Sequence, residues 1–371
     1  MIVGVLGEPS FESRVSLLAE GAAVLIKRKL EVWVQAGAGL SAYCPDAAYT
    51  SVGAIIKSRA EILATADLLL GIHAEDLPAT LQNKILIGVY QPLLDPSLMA
   101  AWAQQGITSF SLDMLPRTTR AQSMDVLSSQ ANIAGYKAVL LAANLFPRYF
   151  PMFMTAAGSI PPAKVLILGA GVAGLQAIAT ARRLGAVVEV FDTRPAVKEE
   201  VMSLGGKFIE VGGAADVSEA GGYAVEQAED FAQRQQDRIA ESIARADVVI
   251  TTAQIPGRKA PVLVTAAMIE TMRQGSVIID LAAATGGNTE LTKNKETVVY
   301  NGVMIVGNSA LAATMPYDAS KLYGKNVLNF LELIVDVSGG FKLDMADDLV
   351  KGCCITNGGA VVNERVKNYA V

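Results

Sequence analysis

Histidine is nearly missing from this chain: His73 is the only one among 371 residues. Cysteine is almost as scarce, with Cys44, Cys353 and Cys354. Three thiols so scattered make neither a disulfide framework nor a zinc-ligand set, which fits a reducing compartment and makes the cytosol the default. Charge is thin as well. Asp, Glu, Lys and Arg make up 18% of the residues, below the roughly 25% of an average soluble protein, so much surface has to be buried internally or against partners, and an oligomer is expected. The net charge is -5 with no basic cluster, which leaves a surface for tracking nucleic-acid phosphates without support. The N-terminal MIVGVLGEPS has neither the basic start nor the long apolar core of a secretory signal. Apolar stretches such as 133–158 are interrupted by Lys137 and Arg148, and none reaches the roughly 18 uncharged residues of a membrane span. G-x-S-x-G, paired Cys/His and metal-ligand clusters are also absent, so nucleophilic and metal chemistry lack candidates. His73, in LLLGIHAED, reads as a loop or satisfied core residue rather than a catalyst.

What is present is an alternation of strand and helix patterns. The length suggests two domains at roughly 150 residues each. IVGVL (2–6), VSLLAEGAAVLIKR (15–28), EVWVQAG (31–37), ILATADLLLGI (62–72) and KILIGVY (84–90) have the rhythm of a parallel α/β domain. A helical pattern through Met124, Leu127, Ile133, Ala134, Val139 and Leu140 runs from 121 to 145. Pro147, Pro151, Pro161 and Pro162 then break it, and a second alternation starts at Val165. DASKLYGKNVLNFLELIVD, 318–336, reads as another long helix. The expected fold is α/β: two Rossmann-like doubly wound parallel-sheet domains joined by long helices. The expected division is 1–127 plus 319–371 for the N-terminal domain completed by the C-terminal segment, and 128–318 for a nucleotide-binding domain.

KVLILGAGVAGLQAIATARRLGAVVEVFD, 164–192, carries the most information. An apolar strand leads into Gly169, Gly171 and Gly174 in G-x-G-x-x-G spacing, a helix follows, and Asp192 ends the next strand. The first glycine makes the tight turn, the second admits a pyrophosphate, and the third lets helix and strand pack closely. The positive end of the helix then faces the phosphates. Asp192 is placed to accept from an adenosine ribose, which favours NAD over NADP, although the nearby Arg194 is also suited to a 2′-phosphate.

PRTTRAQSMD, 116–125, is the densest polar group in an oily stretch and stands at the entrance of a helix. Two readings stay open for it: a solvated N-cap with Ser or Thr capping, or a set of amide, carboxylate and guanidinium groups that hold a nicotinamide carboxamide and ribose. Hydride transfer between two nicotinamides needs positioning and no proton shuttle, so the second reading demands no histidine.

Four segments together resemble one family: GAGVAGLQAIATARRLGAVVEVFDTRP, VVITTAQIPGRKAPVLVT (248–265), GSVIIDLAAATGGN (275–288) and RTTRAQSMDVLSSQANIAGYKAV (117–139). They are similar to the NAD(H)-binding domain I of proton-translocating NAD(P) transhydrogenases, in a superfamily shared with alanine dehydrogenase. The resemblance implies that Arg117, Gln122, Asp125 and Ser128 hold the nicotinamide and nearby ribose, with Gln122 reaching toward a facing NADP(H). It implies cofactor-binding roles for Gly169, Gly171, Val172, Gly174, Asp192, Thr193, Arg194, Ala253 and Gln254, and, in a mobile loop, for Gly222, Tyr223 and Gln235. Glycines 212, 213, 221 and 222 fit a flexible flap independently. It further implies direct hydride transfer from NADH to NADP+ on a partner, with NADP(H)-binding and membrane-spanning subunits as partners. A homodimer and a peripheral place on the inner face of the cytoplasmic membrane are also implied.

Departures from the pattern bear on the alternative, an NAD-dependent alanine-type dehydrogenase. The E-x-R-V signature is partly kept as FESRV, and no role is carried to Arg14. Positions similar to the substrate Lys and catalytic His of alanine dehydrogenases read His73 and Tyr90 or Gln91, and Ala284 stands where they carry Asp. Amino-acid oxidation needs a general acid or base and a carboxylate clamp, and those parts are missing. A third expectation, an NAD-sensing module, would bind the nucleotide without reacting. The chain reads as a separate subunit with no span of its own.

Overall fold

The computed structural model describes residues 1–211, 229–255 and 257–369. The chain divides into two compact units, Met1–Gln130 with Ala313–Val371, and Ala131–Ala312. The first unit opens with β1 (Ile2–Val5), α1 (Ala19–Lys27), β2 (Glu31–Gln35), α2 (Asp46–Ser51) and β3 (Ile55–Lys57). It continues with α3 (Arg59–Thr65), β4 (Leu68–Leu70), β5 (Ile85–Gly88), α4 (Pro96–Gln104) and β6 (Thr108–Ser111). Helix α5 (Val126–Leu145) begins there and ends in the second unit. The second unit holds β7 (Phe153–Thr155), β8 (Gly158–Ile160), β9 (Lys164–Leu168), α6 (Val172–Arg183), β10 (Val187–Phe191), α7 (Lys198–Ser203) and β11 (Lys207–Phe208). After these come α8 (Glu229–Ile243), β12 (Val248–Thr251), α9 (Ala266–Glu270), β13 (Val277–Asp280), β14 (Thr297–Tyr300) and β15 (Val303–Val306). The chain then returns to the first unit as α10 (Pro316–Ile334), α11 (Asp348–Cys353), β16 (Cys354–Asn357), β17 (Ala360–Val361) and α12 (Glu364–Tyr369).

The first sheet has the order β17-β16-β6-β5-β4-β1-β2-β3, parallel from β6 to β3 and closed at one edge by antiparallel β16 and β17. Successive strand residues point to opposite faces. Val3, Val5, Val32, Val34, Leu68 and Leu70 enter one core with Val327 and Phe330 of α10, while Leu69 and Leu86 enter another with Ile62 and Met99. Burial on both faces is why these strands are almost uniformly apolar. The second sheet, β11-β10-β9-β12-β13-β15-β14, repeats the plan with only β14 antiparallel. Val165, Ile167, Val188, Val190, Val248 and Ile250 face one core, and Leu166, Leu168, Val249 and Ile278 face the other with Ile239 and Ile243 of α8. Both units are therefore doubly wound α/β layers. Among the described residues no helix is long and apolar enough to cross a membrane.

Two stretches depart from the sequence pattern. The run 62–72, apolar through most of its length, divides into the end of α3 and the strand β4. The cause is a capping box: Ser58 Oγ accepts from Glu61 N at 3.3 Å while the Glu61 carboxylate accepts from Ser58 N at 2.9 Å, so the helix is nucleated just before the strand. The pattern from 121 is likewise not one helix. Thr119–Met124 is a 3-10 turn, and α5 starts only at Val126. The cap there is neither Ser nor Thr: the Asp125 carboxylate accepts from Ser128 N at 2.9 Å and from Ser128 Oγ at 2.6 Å.

Candidate nucleotide-binding site

In the second sheet the chain runs from β9 outward to β10 and β11, then crosses back past β9 to β12 and β13. The winding direction reverses at β9, and in sheets of this kind the crevice outside the carboxyl ends of the strands at that point is where ligands bind. The glycine loop leaves β9 there. Gly169 has a φ of 107°, a value that favours glycine, and its N–H donates to Phe191 O at 2.8 Å, fastening the loop to β10. A Cβ on Gly174 would stand 1.9 Å from Gly169 O, so the first turn of α6 lies directly on the loop. Helix α5 presses equally close, since a Cβ on Gly135 would stand 2.1 Å from Ala173 O. Gly171 differs from both. Its backbone is extended and a Cβ there would meet nothing within 4 Å, so the space beside it is open.

That arrangement fits a pyrophosphate. By helix geometry the first N–H groups of α6 have no acceptor within the helix, and they open toward the space beside Gly171, with Val172 at the first helical position and 39% exposed. Asp192, just beyond β10, has a side chain only 6% exposed and holds the loop from the other side, with Oδ2 accepting from Ala170 N at 2.7 Å. Arg194 folds back onto the same carboxylate. Its backbone N and Nε donate to Oδ1 at 2.8 and 2.9 Å and Nη2 donates to Oδ2 at 2.9 Å. A carboxylate has about four lone-pair sites, and here the chain itself fills four. Thr193 lines a cavity of about 190 Å³ with Phe191, Asp192, Pro195, Phe208 and Val211 at the ends of β10 and β11. A wider depression of about 520 Å³ lies at the far end of α6, between Arg148, Phe150 and Arg183, away from the glycine loop.

Ala253 and Gln254 follow β12 on the other side of β9. They are fixed by a residue with no role assigned from the sequence: Asn288 Oδ1 accepts from Ala253 N at 3.0 Å and Asn288 Nδ2 donates to Ala253 O at 2.8 Å. Gln254 Nε2 donates to Leu281 O at 2.9 Å. Asn288 is itself anchored by the fully buried Asp280, which accepts from Asn288 N, Thr289 N, Ala282 N and Thr292 Oγ1. The signal for this pair, an Asp at a strand end and an Asn eight residues later, lies inside the segment GSVIIDLAAATGGN but does not stand out from it. Gln235 is half-buried on α8; Gly222 and Tyr223, with the expected glycine flap, lie outside the described residues.

In the first unit, Arg117 and Gln122 are exposed, and Asp125 and Ser128 are half-buried and joined to each other by the cap of α5. Arg14 and His73 belong to a separate group. Glu12 accepts from Arg14 Nε at 2.8 Å and Nη2 at 2.6 Å and faces His73 Nε2 at 2.9 Å, while Arg14 Nη1 donates to Gln130 at 2.8 Å. These partners hold the Glu12 carboxyl down at about 2 against the opposing effect of its burial. Beside them the Glu8 carboxylate accepts from Ile72 N and His73 N, and desolvation pushes it up to about 7. The group stands at the carboxyl ends of β1 and β4, where the winding of the first sheet reverses.

Residues 4–134 match the alanine dehydrogenase/PNT N-terminal domain and residues 138–364 match the C-terminal domain of the same name. The chain belongs to this family. Within it, the first portion of the NAD(P) transhydrogenase alpha subunit of Rhodospirillum rubrum, a chain in its own right, is 43% identical over 364 residues, 95% of each chain. The crystal structure of a transhydrogenase from Sinorhizobium meliloti superposes with a TM-score of 0.85 at 42% identity, covering 98% of this chain and all of that one. An L-alanine dehydrogenase structure shares the fold, with a TM-score of 0.82 at 24% identity over all of this chain and 99% of that one. Of these three relatives, the two transhydrogenases share the higher identity.

Proposed function

We propose that this chain is the NAD(H)-binding component of a proton-translocating transhydrogenase. The observation that carries the nucleotide reading is the glycine loop at the point where the second sheet reverses, with open space beside Gly171 and α6 pressed onto the loop at Gly174. The reaction class follows from the relatives named transhydrogenase. When bound, NADH supplies a hydride from its dihydronicotinamide carbon to the corresponding carbon of NADP+ on a partner subunit, leaving NAD+ and NADPH with no proton exchanged. In this reading Gly169, Gly171, Val172 and Gly174 hold the pyrophosphate on backbone N–H groups. Asp192, Thr193 and Arg194 hold the adenosine end, and Ala253 and Gln254 border the same crevice.

Arg117, Gln122, Asp125 and Ser128 hold the nicotinamide carboxamide and its ribose by hydrogen bonds, and catalysis consists of fixing ring against ring at near-attack distance. The partners are an NADP(H)-binding subunit and membrane-spanning subunits that couple transfer to proton movement. The chain works as a homodimer, peripheral to the inner face of the cytoplasmic membrane. Support for a reaction without a proton shuttle comes from the first unit, where the candidate acid–base residues Glu12 and His73 and the cation Arg14 are tied to one another. The test is Gln122→Asn in the assembled enzyme, with NADH binding followed by nucleotide fluorescence. Transfer should drop with NADH affinity nearly unchanged. Unchanged transfer, or ammonia-dependent NADH oxidation with a 2-oxo acid by the chain alone, would overturn the reading, the latter in favour of an amino-acid dehydrogenase.

A further inference from the structure

Gln122 sits on the solvent side of the 3-10 turn Thr119–Met124. Such turns have poorer hydrogen-bond geometry than an α-helix and do not hold a side chain still by themselves. Three contacts fix this one. Ala121 and Met124 are buried in the first core with Tyr323, Val327 and Phe330. Arg120 forks onto Asp347, at 2.8 and 2.5 Å, and onto Asp348, in an exposed pair that salt screens. The third contact is less usual: the Ser123 carbonyl accepts two side-chain amides from α10, Asn326 Nδ2 at 2.8 Å and Asn329 Nδ2 at 2.8 Å.

Asparagine is a poor helix former, yet α10 carries two of them one turn apart, aimed at a single oxygen. Asn326 is 7% exposed, and its orientation is set because Oδ1 accepts from Ser129 Oγ at 2.7 Å, leaving the nitrogen for Ser123. Asp125 and Ser128 do not depend on this clamp, since they cap α5 through each other. Two neighbouring parts of one segment are thus held by separate devices.

We propose that Asn326 and Asn329 are positioning residues for Gln122. By filling both lone pairs of the Ser123 carbonyl they fix the peptide that follows Gln122, and with it the direction of that side chain. The inference rests on the reading that Gln122 meets the nicotinamide. Because Asp125 and Ser128 keep their own cap, loss of the clamp should lower turnover and leave the Michaelis constant for NADH in place.

The experiment compares Asn329→Ala, Asn326→Asp and Gln122→Asn in the assembled enzyme, together with the double variant Gln122→Asn/Asn326→Asp. Each lost bond should lower kcat by about 3- to 10-fold, the range of one net hydrogen bond, with KM for NADH within about twofold. In the Gln122→Asn background the Asn326→Asp change should add little, because its effect runs through the missing side chain. Amide exchange of 119–124 should accelerate while that of 126–130 stays put. Full turnover in both asparagine variants, a rise in KM at constant kcat, or additive effects in the double variant would overturn the proposal. Should Asn326→Asp fail to fold, Asn329→Ala alone decides, because that residue is only half-buried. If Gln122→Asn itself leaves transfer intact, the nicotinamide reading falls; if only the asparagine variants do, the clamp alone falls.

Discussion

Gly171→Ala separates binding from folding with one methyl group. The backbone of Gly171 is extended, with φ -76° and ψ -170°, a region open to any residue, and its Cβ would have no neighbour within 4 Å. Folding should be unharmed, or helped by about 0.4–1 kcal/mol through the stiffer unfolded chain. The methyl would instead occupy the space through which a pyrophosphate reaches the first N–H groups of α6. Holding the phosphates about an ångström further out weakens charge-assisted bonds worth about 1.5–3 kcal/mol each, so losing the equivalent of one should raise the dissociation constant about 10- to 100-fold. Gly174→Ala is the contrasting case. Its Cβ would stand 1.9 Å from Gly169 O, backbone against backbone, with no side chain able to yield. It should cost stability by about 1–3 kcal/mol or more, as overpacking does. Thermal unfolding paired with NADH fluorescence titration measures both quantities on each variant. A Gly171→Ala protein that binds NADH within about twofold of the parent would refute the assignment of that space to the nucleotide, and so would one whose binding loss merely tracks a loss of stability.

Asp192→Asn keeps the fold of the loop but removes the charge that repels a 2′-phosphate and that draws Arg194 back onto the turn. The ratio of NADPH to NADH affinity should rise by about 10-fold, as read by parallel titrations; an unchanged ratio would show that Asp192 does not set selectivity. Glu8 makes a prediction about pH. Its folded-state pKa, about 7, lies above the ordinary 4.5, so the folded chain binds more protons in that window and the contribution of Glu8 to stability falls as pH rises from 4.5 to 7. Glu12, held down at about 2, contributes stability that is present above 4.5 and lost on acidification below it. Glu8→Gln should flatten the decline between pH 5 and 7, by up to about 3 kcal/mol, in urea unfolding at the two pH values. Parallel curves for the two proteins would count against a buried, titrating Glu8.

Much of the fold was legible because both sheets are buried on two faces, which writes itself into sequence as short apolar runs, and because the G-x-G-x-x-G loop names its own place after β9. Boundaries were less legible where one apolar run served two elements, as at 62–72. There the capping box begins at Ser58, four residues ahead of the run it divides. Within the site, Gly169, Gly171 and Gly174 were readable singly because each has a distinct steric demand. The tie of Arg194 to Asp192 was not, since a residue two positions from an acid can point anywhere until the turn between them is known. Asn288, Asn326 and Asn329 were invisible for a different reason: each acts on a backbone group 35, 203 or 206 residues away, and a single sequence has no period that reports such a distance.

The self-paired Asp192 has a consequence for traffic through the crevice. A ribose hydroxyl arriving there finds every lone pair taken, so it gains a bond only as a guanidinium bond lets go, and on departure that bond re-forms at once. Entry and exit thus exchange like for like, and the grip on the adenosine end stays light. A hydride carrier must shed its spent nucleotide before every cycle, and this exchange supplies an easy release without any change in the sheet that supports it.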